Sequence, residues 1–111
     1  MSTIVNEPRP AQRINASLSV ALSEGAANYV AETANVSDAG LCLCPKKVFP
    51  VGTQLHLVFG RPPELPRVSV RGIVRWADGG KGVGVQFTFI RPGDRQALLK
   101  FVTSQSSGGQ A

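Results

Sequence analysis

The sequence predicts an all-β domain closed by a single C-terminal helix. Two observations carry that expectation. Apolar and polar residues alternate with a period of two in one short segment after another, and each segment ends within a few residues in Gly, Pro, Asn, Asp or Ser. The spacing changes from two to helical only beyond Pro92. Five or six strands this short, so regularly punctuated, fit a small antiparallel Greek-key or meander barrel. At 111 residues without internal repeats, the chain is expected to form one domain.

The elements follow in order. Residues 1–8 are expected to form a flexible arm, and Pro8 and Pro10 hold the chain extended behind it. Ile14, Ala16, Leu18, Val20 and Leu22 then alternate with polar or small residues and read as one half-buried strand. Ser23-Glu24-Gly25 turns the chain into a second strand from Asn28 to Val36. Gly40 to Cys44 forms a short third, closed by Pro45-Lys46-Lys47. Thr53 to Phe59 is the fourth, with Leu55, Leu57 and Phe59 on one side.

Three prolines between Gly60 and Pro66 make that stretch a loop. In the fifth strand Val68, Val70, Gly72, Val74 and Trp76 share one face, with Ser69, Arg71, Ile73 and Arg75 opposite. Asp78-Gly79-Gly80 is a hairpin connection, and Val83, Val85, Phe87 and Phe89 give the last strand its inward face. Pro92 opens the helix, Asp94 suits its first turn, and Ala97, Leu98, Phe101 and Val102 make its apolar face. The folded domain is thus expected over 9–103, with 104–111 as a disordered polar tail.

Twelve Lys and Arg against seven Asp and Glu give a net charge of +5, which favours an anionic partner. No apolar run approaches the roughly 20 residues of a membrane span. The N-terminus lacks both the basic start and the apolar core of a secretory signal, so a cytoplasmic location is expected. Cys42 and Cys44 fall on the same side of a strand and are expected as reduced thiols. With His56 as the sole histidine, a zinc site would have to recruit carboxylates, and none is expected. No nucleophile, base and orienting group come together in sequence, so the chain is not expected to be an enzyme.

The stretch Asn35-Val36-Ser37-Asp38-Ala39-Gly40 sits between the second and third strands. Asn35 and Ser37 share a face of an extended chain, Ser37 to Gly40 suits a type I turn, and Gly40 lets a backbone or ligand come close. Upstream lies Arg9-Pro10-Ala11-Gln12-Arg13. This two-part pattern resembles the PilZ family, whose motifs are RxxxR and (D/N)xSxxG. Pro50-Val51-Gly52-Thr53, Val74-Arg75-Trp76 and Gly82-Val83-Gly84-Val85-Gln86-Phe87 match in order, so the resemblance covers about residues 9–103.

The resemblance implies a six-stranded antiparallel β-barrel followed by a helix, with cyclic di-GMP as ligand and no other cofactor. Carried over motif by motif, Arg9 and Arg13 would contact phosphate and base, Asn35 and Ser37 would address a guanine, and Gly40 would give clearance. Guanidinium chemistry suits this, since its planar donors meet phosphate oxygens or the O6 and N7 edge of guanine. Trp76 is either a core aromatic or a rim residue beside the ligand. The implied role is a receptor that changes conformation on binding and signals to a downstream effector protein in motility, pili, exopolysaccharide or biofilm. The alternative is an adaptor of the same fold with little or no nucleotide affinity. A single-stranded nucleic-acid binder ranks last, because Phe59, Phe87 and Phe89 read as core rather than as an exposed stacking row.

Overall fold

The structure, a computed structural model, describes residues 13–44 and 49–108. It contains β1 (Arg13–Ile14), β2 (Ser19–Glu24), β3 (Ala27–Ser37), β4 (Gly40–Cys44), β5 (Gln54–Arg61), β6 (Leu65–Asp78), β7 (Gly82–Ile90) and α1 (Pro92–Gly108). All pairings are antiparallel. Strands β3, β2, β5, β6, β7 and β4 neighbour one another in that order, and β4 returns to pair with β3. That closes a six-stranded barrel, with β1 as an additional short strand on β3. The all-β class, the barrel and the terminal helix are those expected from the sequence.

Alternation decides the interior. Val20, Leu22, Leu55, Leu57, Val68, Val70 and Val83 are among the apolar residues buried in one continuous core. Helix α1 adds Leu98, Phe101 and Val102, each worth about 1.5–3 kcal/mol when fully buried. The helix packs on β6, β1 and β3. Its first turn is fastened where the Ser69 backbone N–H donates to Asp94 Oδ2 at 3.2 Å.

Four expectations change. The predicted single strand from Ile14 to Leu22 is two strands, because Thr33 pushes a side chain into the ladder. The Thr33 hydroxyl donates to the Ala16 carbonyl and accepts from the Leu18 N–H, satisfying the backbone that the break leaves open. The proline-rich stretch is a loop only over 62–64, with strands β5 and β6 reaching into it from both sides as a tight hairpin. Arg61 already pairs with Leu65, and the register shifts beside Phe59. Such irregularity is where a strand tolerates Pro66.

Phe89 is exposed rather than inward. Gly72 lies opposite Phe87 and Arg71 opposite Phe89, so Thr88 is an extra residue that reverses the alternation. The helix also runs on through 104–108, where a polar tail was expected. Once nucleated, a helix extends at little cost per residue, even through serines. Residues 109–111 and the arm at 1–8 lie outside the described residues.

Candidate functional site

Two β-bulges, on β3 and β6 with β4 and β7 between them, make the site. On β3, Thr33 lies opposite Leu43 and Asn35 opposite Cys42, so Ala34 is the extra residue. On β6, Val74 lies opposite Val85 and Trp76 opposite Gly84, so Arg75 is extra. Each bulge resets which side chains leave the barrel. Asn35, Cys42, Gly84 and Trp76 consequently form one cross-strand row over β3, β4, β7 and β6. That row lines a cleft of about 510 Å³, together with Arg13, Gly40, Arg75 and Gln86.

Arg13 enters from β1, and its Nη1 donates to Asn35 Oδ1 at 2.6 Å. One half of the Arg pair and the Asn of the second motif are therefore in direct contact, 22 residues apart in sequence. Arg9 lies outside the described residues. Opposite, Arg75 Nε donates to Gln86 Oε1. No carboxylate lies among the cleft's described lining residues, so two guanidiniums face it without a competing anion.

Trp76 is 44% exposed and is not a core residue. Its indole lies flat on Gly84, where any Cβ would fall inside 3.0 Å of Nε1, Cε2 and Cδ1. Glycine at position 84 thus seats the ring as a wall of the cleft. Burial pushes the Cys42 thiol above its ordinary pKa and Cys44 adds to this, while Arg13 and a backbone hydrogen bond from Val83 pull the other way. Both cysteines are free, Cys42 buried and Cys44 exposed.

Ser37 takes a different part from the one the motif suggests. It is fully buried, and its Oγ accepts from the Ala39 and Gly40 N–H groups while donating to the Gly40 carbonyl. The hydroxyl is spent on the turn. Asp38 in the same turn pairs with Arg95 of α1 at 3.1 Å, tying the motif to the helix. Gly40 does give clearance, but to protein: a Cβ there would overlap the Val85 carbonyl of β7.

The structure therefore brings together Arg13, Asn35, Gly40 and Trp76 and diverts Ser37 to support them. Sequence reasoning missed Arg75, Cys42, Gly84 and Gln86. Strict alternation puts Arg75 on the face opposite Trp76, whereas its bulge puts both side chains on the outside. The available signal was Gly84 and Gln86 recurring at a spacing of two on the side away from Val83 and Val85.

A closed barrel with a basic cleft at the second motif, backed by one terminal helix, defines a small binding or adaptor domain. A family model of the PilZ domain matches residues 7–104, and the chain belongs to that family. Among solved structures, it is similar to the Bacillus subtilis inhibitor of motility MotI/DgrA. The TM-score is 0.80 at 21% identity, over 95% of this chain and 54% of that one. The chain thus spans about half the length of the Bacillus protein. It is also similar to the PilZ domain of YcgR from Escherichia coli, solved with c-di-GMP. There the TM-score is 0.68 at 11% identity, over 94% of this chain and 95% of that one. The PilZ domain of CeSA from a cellulose-synthesizing bacterium gives 0.62 at 16% identity, over 85% and 97%. At these identities the likeness is one of fold. No curated protein matches at the level of sequence. Among the described residues, no helix is long and apolar enough to cross a membrane.

Proposed function

We propose that this chain is a cyclic di-GMP receptor that takes the dinucleotide in the cleft between β1, β3, β4, β6 and β7. The observation that carries the reading is the convergence of Arg13, Asn35, Gly40 and Trp76, from four strands, on one acid-free cleft. Membership of the PilZ family and the fold shared with YcgR, solved with c-di-GMP, support it. A cleft of this size falls in the ordinary range for small-molecule sites. Arg13 offers its fork to a phosphate, Arg75 adds a second cation, and the Trp76 face offers a stacking surface for a guanine. Arg9 completes the Arg pair from the segment leading into β1.

Binding changes the conformation of the protein, and the changed surface is read by an effector protein. Motility is the output that the Bacillus relative's name suggests; pili, exopolysaccharide and biofilm are the family's other outputs. The adaptor reading with little nucleotide affinity remains the second one, because the Ser37 hydroxyl is committed to the turn.

Calorimetric titration with cyclic di-GMP, with GTP and a short single-stranded oligonucleotide as controls, tests the proposal. Arg9→Ala and Arg13→Ala should each weaken cyclic di-GMP binding at least tenfold, since truncating a charge that pairs a desolvated phosphate costs about 2–5 kcal/mol. Unchanged affinity in both variants would sink the site assignment, and no binding by the parent would leave the adaptor reading.

A further inference from the structure

We infer that the outer barrel face across β3, β2, β5, β6 and β7, away from the cleft, docks a partner protein segment that presents one carboxylate beside an apolar side chain. This rests on reading the chain as an adaptor and names the surface through which it acts. Two large apolar side chains stand in solvent at the ends of this face. Val30 is 74% exposed on β3, and Phe89 is 58% exposed on β7. They are four strand spacings apart, roughly 19 Å around the sheet.

Between them the pairing register builds two adjacent rows. Ala21 lies opposite both Val30 and Val58, which gives an apolar row. His56 lies opposite Arg71, and Arg71 opposite Phe89, which gives a cationic and aromatic one. Each row floors a hollow. The apolar hollow holds about 430 Å³ between Ala21, Val30 and Val58, and the polar one about 670 Å³ between His56, Arg71 and Phe89. The two meet at Ser23 and His56.

Charge then selects the occupant. Arg71 is the sole Lys, Arg, Asp or Glu among the described residues lining either hollow. A second copy of this chain would bring another Arg71 and no acid to the hollows, and the outward Glu32 beside Val30 already accepts from the Ser17 hydroxyl, so the face does not complement itself. A small anion would fill the polar hollow but leave Val30 and Val58 uncovered. A protein segment covers both, with its carboxylate on Arg71 and an apolar side chain roughly 10 Å away in the apolar hollow. An aromatic and an arginine flanking a desolvated centre are the residue types on which interfaces concentrate their binding energy.

The probe is a displayed library of random 12-residue peptides, selected on the full chain. Enriched peptides are synthesised and titrated against the parent, Arg71→Glu and Val30→Ser. The expected result is enrichment of an Asp or Glu near a Leu, Ile or Phe. Binding should fall at least tenfold in Arg71→Glu and several-fold in Val30→Ser, with amide shifts centred on the outward positions of β2, β3, β5 and β6 and on Phe89 of β7. Three outcomes would overturn the inference: no enriched peptide, peptides that bind both variants like the parent, or shifts centred on the cleft. Self-association that Arg71→Glu abolishes would overturn it too, in favour of a second copy. Cyclic di-GMP titration of the same samples keeps the two readings apart. Loss of nucleotide binding in the parent would refute the receptor proposal and leave the peptide result standing. Melting curves of both variants confirm that they are folded.

Discussion

Replacing Gly84 with alanine adds one methyl group where the Trp76 indole now rests. The ring cannot stay, because the new Cβ would overlap three of its atoms. Trp76 is 44% exposed, so about half of its surface is covered at present. An aromatic side chain of this kind buries up to about 250 Å², which makes the covered part on the order of 100 Å². At about 25 cal/mol per Å², swinging the ring into water costs about 2.5 kcal/mol. Alanine recovers about 0.5–1 kcal/mol through the reduced entropy loss of a non-glycine strand residue. The net loss, about 1.5–2 kcal/mol, corresponds to a melting point lower by roughly 6–15 °C for a domain of this size. Trp76 is the sole tryptophan, so its fluorescence reports the displacement directly. Gly84→Ala should shift emission to longer wavelength, and cyclic di-GMP should bind at least tenfold more weakly, since base stacking on an aromatic is worth about 1–3 kcal/mol. Trp76→Ala should lose comparable affinity. Unchanged melting and unchanged emission in Gly84→Ala would refute the seating of the ring. Unchanged affinity in both variants would remove Trp76 from the ligand site.

Ser37→Ala leaves the buried Gly40 N–H and the part-buried Ala39 N–H without their acceptor; unfolding in urea should show a loss of about 1–3 kcal/mol. Asn35→Asp converts the Arg13 contact into an ion pair, and the apo protein should gain about 0.2–1 kcal/mol at pH 7 by thermal melting. Arg13 lowers the new carboxyl's pKa in the folded state, so this gain is present above the ordinary carboxylate range and should vanish as the pH falls through it. Cys44 should be alkylated well before Cys42, whose thiol is buried and shifted upward; equal rates by mass spectrometry would contradict that burial.

The strands and the helix were legible in the sequence because each rests on a local pattern, while the meeting of the two motifs followed from the family resemblance. Alternation in Val20 and Leu22 or in Leu55 and Leu57 needs no knowledge of a partner strand. The cleft's far wall was not legible. Ala34, Arg75 and Thr88 are single extra residues, and whether a residue is extra is settled by pairing with a strand distant in sequence. Strict alternation therefore put Trp76 inside and Arg75 opposite it, and it turned Phe89 inward. Ser37 shows a second limit. A serine two residues from an asparagine is placed on the right side by the strand period, but its hydroxyl answers to the N–H groups of its own turn.

Closure of the barrel has a consequence for how such a domain diversifies. Six strands paired in a ring spend their edges on one another, so among the described residues recruitment by adding a strand is confined to the two-residue β1. Recognition falls to the outward side chains, every second position along each strand. The inward positions are held by the need to fill one core, whereas the outward ones are free of that constraint. A strand of this kind carries two interleaved texts, one that specifies the scaffold and one that addresses the molecule it meets. The second can be rewritten while the first is kept, which suits a shape shared at 11% to 21% identity with a motility inhibitor and with the PilZ domains of CeSA and YcgR.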